Sequence, residues 1–158
     1  MLHTPVNRRE ALKRIYRAIV AAGAASLVSY RDLLAAASQA PDRRPTVVWI
    51  HGTSCTGCSC SFLDIDQVPV VDILTKFTNM AYHPDVSLAT GSQVTDILGR
   101  LLTSDQGYIF VLEGGIPVGM PHACVMGERP MTEWVEALAS RATACIAAGT
   151  CAALGGIP

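Results

Sequence analysis

Short unbroken apolar runs alternate with segments of helical spacing along residues 41–158. Residues 46–50 (TVVWI) and 108–112 (YIFVL) are rich in β-branched and aromatic side chains and carry no polar interruption. That is the pattern of strands covered on both faces. Residues 142–148 (ATACIAA) form a third run, made of small residues and also read as a buried strand. Residues 80–83 are a short strand candidate ended by Pro84. Between the strands, 91–102 sets Val94, Ile97, Leu98 and Leu101 at helical spacing, the clearest amphipathic helix in the chain. Residues 132–140 turn Trp134, Val135 and Leu138 to one side. Residues 69–77 place Val71, Leu74 and Phe77 together, with Pro69 acceptable in a first turn. Strand, helix and strand in alternation predict a doubly wound parallel sheet with helices on both faces, a three-layer α/β fold.

Sheets of this kind bind ligands outside the carboxyl ends of their strands. Three segments leave those ends here: HGTSCTGC at 51–58, EGGIP at 113–117 and GTCA at 149–152, each rich in glycine or cysteine. From Cys58 the chain is expected to open a helix or helix-like turn through Phe62 and Leu63. Gly149 is expected to begin a final loop.

Composition narrows the function without naming it. The 158 residues suffice for one domain, half of them are apolar, and the formal net charge of −1 leaves no electrostatic footprint for nucleic acid. The six cysteines carry the chemistry. Cys55-Thr56-Gly57-Cys58 is a C-x-x-C motif, which serves zinc sites, dithiol redox pairs and iron–sulfur sites alike. A zinc site wants a second close pair or histidines at ligand spacing, and neither is in the sequence. A dithiol pair fits the placement between a strand and a helix. An iron–sulfur site needs cysteines from other loops, and Cys151, flanked by glycines at another strand end, supplies one. The combination favours iron–sulfur. A metal-free dithiol redox protein is the alternative.

Other residues are read more plainly. Cys124 and Cys145 are expected to be small buried hydrophobes. Cys60 is assigned to packing ahead of a ligand role. His51 and His83 are expected to satisfy loop hydrogen bonds, and Trp49 and Trp134 to anchor a core or an interface. Glu113 either caps its loop or lies beside the bound group.

The N-terminus carries its own signal. Arg8-Arg9 precedes a weakly apolar stretch at 18–28, and small residues lead to Ala40 and Pro41. This resembles a Tat-type export leader over 1–40, which leaves 41–158 as the folded domain. Tat export carries folded proteins, so a metal group could be inserted in a reducing compartment before passage.

Four ordered motifs over 46–158 resemble one family: VWIHG-x-x-CTGC, YHP, Y-I-x-V-x-EG-x-IP and GTCA-x-x-GG-x-P. They are similar to the small subunit of nickel–iron hydrogenases, with CTGCS and EGGIPVGM nearest the nickel–iron–selenium branch. The resemblance implies a flavodoxin-like domain carrying the proximal 4Fe–4S cluster, with Cys55, Cys58 and Cys151 as three of its ligands. It puts the fourth ligand in a later motif, beyond Pro158. It also implies a large partner subunit that holds the nickel–iron centre, and a downstream electron carrier such as a cytochrome. Periplasmic localisation follows from the leader, and membrane association would come through a partner. The chain would conduct electrons during hydrogen oxidation. An inactive truncated fragment is a further alternative. Many relatives carry glutamate where this chain has Cys60. Oxygen-tolerant relatives place extra cysteines where it has Gly57 and Gly156, so that property is not carried over.

Overall fold

The computed structural model describes residues 44–156. The export leader read at 1–40 lies outside the described residues.

Four parallel strands make the sheet: β1 (Thr46–His51), β2 (Asn79–Tyr82), β3 (Tyr108–Glu113) and, after a small hairpin, β6 (Ala144–Ala148). Their spatial order is β2-β1-β3-β6, so β1 and β3 are central and the chain reverses direction of winding between them. This is the flavodoxin-like order, with a switch point at β1 and β3. The hairpin strands β4 (Val125–Met126) and β5 (Arg129–Pro130), unforeseen in the sequence, pair antiparallel outside the main sheet.

β1 and β3 pair without a break from Thr46 opposite Tyr108 to His51 opposite Glu113. This register sets His51 beside Glu113 at the carboxyl end. Side chains alternate across the sheet. Val48, Ile50, Tyr108 and Phe110 join a core with α3 (Ser92–Thr103) and α4 (Met131–Arg141), contributed chiefly by Val94, Leu98, Trp134 and Leu138. The Tyr108 hydroxyl donates to the Leu138 carbonyl at 2.7 Å and ties α4 to β3. On the other face Val47, Trp49 and Val111 pack under Phe62 of α1 (Gly57–Leu63). Helices thus cover both faces, as the alternating pattern predicts.

Three expectations need correction. The face expected from 69–77 is broken because α2 (Val70–Asp72) widens into a π-turn (Ile73–Phe77). The Thr78 N–H reaches back to the Ile73 carbonyl. The extra residue in that turn rotates Val71 outward to 62% exposure, while Leu74 and Phe77 stay partly covered. β6 is not buried: it is an edge strand, and Cys145 and Ile146 are exposed. Gly149 begins a helix and not a loop, so Cys151 lies in the first turn of α5 (Gly149–Leu154).

Candidate metal centre

β1, β3 and β6 end side by side, and each releases one of the three chemistry-bearing segments. The first two are laced by backbone bonds. The Gly52 N–H donates to the Glu113 carbonyl at 2.7 Å and the Thr53 N–H to the Gly115 carbonyl at 2.8 Å. The Thr53 hydroxyl also donates to the Gly115 carbonyl, at 2.9 Å. The third segment packs on them through a glycine contact: a Cβ on Gly115 would lie 2.9 Å from the Gly156 nitrogen.

This lacing brings the thiols of Cys55, Cys58 and Cys151 into one neighbourhood. Cys58 Sγ packs against Gly149, where a Cβ would stand only 2.4 Å away. Gly149 also has φ of +80°, a left-handed conformation that other residues adopt at a cost. Cys55 Sγ lies over Gly57, 3.2 Å from where its Cβ would be. Burial pushes the Cys58 thiol up, and Glu113, Cys55 and Cys151 add to the shift through their negative charge. Cys55 is exposed, while Cys58 and Cys151 are half-buried. Cys60, two residues on in α1, is exposed, so it is not taken up in packing as expected. Cys145 is exposed on the edge strand, and Cys124 is partly covered against the core.

Among the described residues no three His, Cys, Asp or Glu groups close tightly enough to cage a single ion. Thiolates on one zinc sit about 2.3 Å from it, which demands near-contact of the sulfurs. A multi-iron cluster sets its thiolates wider apart and takes soft sulfur donors from separate loops. Three thiols on segments leaving β1 and β6, with side-chain-free Gly149 and Gly57 beside them, are a donor set of the soft kind that an iron–sulfur cluster takes.

Beneath the thiols lies Glu113, the last residue of β3 and almost wholly buried. Its carboxylate collects five donors. Oε1 accepts from the Ser54 hydroxyl at 2.9 Å and the Cys58 N–H at 3.2 Å. Oε2 accepts from the Ser59 hydroxyl at 2.6 Å and Trp49 Nε1 at 3.2 Å, and His51 Nε2 stands 3.1 Å from it. Burial works to raise the Glu113 carboxyl. The bonds from Ser59 and Ser54, the His51 imidazole and the Trp49 bond outweigh it and hold the group below its usual range. Glu113 is therefore an internal carboxylate solvated by protein, and it fixes the backbone at Cys58. Of the two roles foreseen for it, the capping one is met: its carboxylate accepts from Ser54, Cys58 and Ser59 in the segment after β1.

His83 is fully buried and tilted against Trp49, with ring centroids 4.9 Å apart. The Asp85 N–H donates to its Nδ1 at 3.2 Å, so Nε2 carries the proton, and it faces the Ser59 hydroxyl at 3.5 Å. Burial lowers its pKa, so this histidine stays neutral. His51 and His83 thus satisfy hydrogen bonds, as read from the sequence. Ser54, Ser59 and Asp85 were not singled out there. The signal for the serines is their position immediately before Cys55 and immediately after Cys58.

The sequence pattern of the family described as NADH ubiquinone oxidoreductase, 20 Kd subunit, matches residues 55–158. The chain is 34% identical over 152 residues to the hydrogenase-1 small chain of Citrobacter freundii, covering 95% of this chain and 40% of that protein. It is 30% identical to the periplasmic NiFeSe hydrogenase small subunit of Desulfomicrobium baculatum, covering 97% and 52% respectively. The solved NiFeSe hydrogenase from Desulfovibrio vulgaris Hildenborough superposes with a TM-score of 0.68 at 32% identity, over 73% of this chain and 44% of that one. The chain spans about half the length of the curated relatives it matches. It belongs to the NADH ubiquinone oxidoreductase 20 Kd subunit family, and the relatives it resembles there are hydrogenase small subunits.

Proposed function

We propose that this chain is the electron-transfer part of an exported nickel–iron-type hydrogenase and carries its proximal 4Fe–4S cluster. The carrying observation is that Cys58 packs against Gly149 at the end of β6, with Cys55 and Cys151 close enough to act on it electrostatically, while Glu113 fastens the backbone at Cys58. Cys55, Cys58 and Cys151 would hold three irons of the cluster, and a thiolate other than these would complete it. The cluster supplies one-electron storage and transfer. The chain's own residues orient the thiols, shield them from the core side and offer backbone N–H groups near the sulfurs.

Hydrogen activation would belong to a large partner subunit. The segments at this end of the sheet also present exposed apolar side chains, Val118 and Met120 after β3 and Leu154 in α5 beside Cys151. Their exposure and position suit a protein interface around the cluster. The leader at 1–40 and relatives named as periplasmic support export of the domain at 41–158. A downstream carrier such as a cytochrome, and membrane association through a partner, accord with this role.

The dithiol alternative is weaker on chemical grounds. A dithiol pair would use Cys55 and Cys58 alone and would leave Cys151, close enough to act electrostatically on Cys58, without a role. Anaerobic reconstitution with ferrous iron and sulfide tests the choice. Wild type should bind iron and acid-labile sulfide with visible charge-transfer absorption, and Cys58→Ala and Cys151→Ala should lose it. Full iron content and an unchanged spectrum in Cys58→Ala would refute the ligand assignment.

A further inference from the structure

Beneath the β4–β5 hairpin lies a cavity of about 280 Å³, and three sulfur side chains border it: Cys124, Met126 and Met131. The hairpin register explains why they meet. Val125 pairs with Pro130 and Met126 with Arg129. One step further from the turn Cys124 stands opposite Met131, and the Met131 N–H donates to the Cys124 carbonyl at 2.8 Å. Side chains alternate along a strand, so Cys124 and Met126 share a face, and Met131 shares it from across the pair. Opposed residues on such a pair have Cβ atoms about 5 Å apart, and methionine's rotatable bonds add reach.

Arg129 falls on the same face, but its guanidinium lies 4.8 Å over the Trp134 ring and its Nε donates to Glu133 at 2.9 Å. Its charge is therefore paired elsewhere. The Cys124 thiol makes no hydrogen bond among the described residues, and burial pushes it up, so it is protonated in the free protein. Met131 is 4% exposed, and Cys124 and Met126 are partly covered. Such residues ordinarily fill gaps in a core. Here they border a gap left open, where packed interiors keep few voids larger than a water molecule.

We propose that Cys124, Met126 and Met131 form a site for one copper(I) ion. The donor set selects the metal. Thioethers are neutral and soft and favour copper(I), whereas a structural zinc takes four thiolate, imidazole or carboxylate donors. With a single cysteine and two methionines, the set differs from the cages of His, Cys, Asp and Glu that are absent among the described residues. On binding, the Cys124 S–H bond breaks, its proton passes to water, and a sulfur–copper bond forms. Each thioether donates a lone pair, and no electron is transferred. Thiolate and ion cancel in charge, so the site avoids the cost of burying a net charge. It shares no residue with Cys55, Cys58 and Cys151 and does not depend on a cluster there.

The test titrates the full chain, anaerobic, reduced and carrying methyl-labelled methionine, with copper(I) supplied as its acetonitrile complex. Exposed cysteines such as Cys55 and Cys60 also take up copper(I), so the reading is taken at the methionine methyls by NMR. The Met126 and Met131 signals, assigned from Met126→Leu and Met131→Leu, should shift. Met80 should stay in place, and the exposed Met120 reports adventitious binding. Cys124→Ala should abolish both shifts, and zinc should produce neither. With bicinchoninate as competitor, the Met126→Leu/Met131→Leu variant, a volume-conserving change, should bind one copper fewer per chain. The site is overturned by Met126 and Met131 methyls that stay in place, move no more than Met120, or move equally in Cys124→Ala. An unchanged copper count in the double variant overturns it too, and a shift of either methyl with zinc overturns the choice of metal. The wild-type reading stands even where a variant fails to fold.

Discussion

Replacing Glu113 by glutamine removes one charge and turns one acceptor oxygen into a donor, at a site where five donors converge. The amide can be placed two ways. With its NH2 toward Ser54 and Cys58, the serine hydroxyl can rotate but the Cys58 N–H cannot, and it is left without an acceptor. With its NH2 toward Trp49, Ser59 and His51, the hydroxyl rotates and the imidazole changes tautomer, but the indole N–H is stranded. Either way one buried donor is orphaned, at about 1–3 kcal/mol. Hydrogen bonds that were charge-assisted weaken as well, while the cost of burying the ion disappears. The net expectation is a loss of about 2 kcal/mol, or roughly 6–10 °C in Tm for a domain of this size.

The pH dependence separates this account from simple damage to packing. The Glu113 carboxyl lies below its ordinary value in the folded protein. Its stabilisation is therefore complete above the unfolded carboxyl range, near pH 4.3, and lost as pH falls through the folded value. Urea unfolding followed by circular dichroism should show Glu113→Gln weaker than wild type by a constant amount from pH 7 to 5, with the gap narrowing below pH 4. Equal stability at pH 7, or a gap unchanged down to pH 3.5, would show that Glu113 is not an ionised hub.

Three further outcomes follow from the same geometry. His83 is held below its usual pKa by burial, so the unfolded chain binds the extra proton first. Stability should begin to fall below about pH 6.5, by at most about 1.4 kcal/mol per pH unit, and His83→Gln should flatten that limb in acid-unfolding titrations. Gly149→Ala puts a methyl where Cys58 Sγ packs, at a φ of +80°. Iron uptake on reconstitution should drop severalfold while the circular dichroism spectrum stays near wild type, and undiminished uptake would refute the cradle. Thr56 is the one described non-glycine residue with positive φ, at 66°. Thr56→Gly should raise stability by about 1 kcal/mol in the same urea assay, and a decrease would mean the threonine carries a contact the geometry does not reveal.

The fold was largely legible because its signals are local. TVVWI and YIFVL are unbroken apolar runs, and they became the two central strands. Helices with an apolar stripe, such as Ser92–Thr103, fell within a residue or two of expectation. The failures have physical causes. A π-turn adds a residue to one helical turn at Ile73–Phe77, and spacing rules that assume the α period then misplace Val71. The run at 142–148 reads as buried from its apolarity, yet small residues tolerate an open edge, and nothing in the run says how many strands lie beyond it.

The candidate site divides along the same line. The cysteine spacing revealed which segments matter, because C-x-x-C and a glycine-flanked cysteine are sequence-adjacent patterns. The carboxylate beneath them was not legible as a hub, since four of its partners lie 54 to 64 residues away along the chain. Only the unbroken β1–β3 register sets Glu113 beside His51 and within reach of the 54–59 segment. A single glutamate after an apolar strand looks the same whether it caps a turn or anchors a metal loop. What decides between them is the number of fixed donors aimed at it. Cys58 and Trp49 contribute two N–H groups that cannot rotate away, so the site requires an acceptor with two free oxygens at this position. By that reasoning Asp, one methylene shorter, cannot reach both N–H groups from the end of β3, and glutamate is required here by geometry as well as by charge.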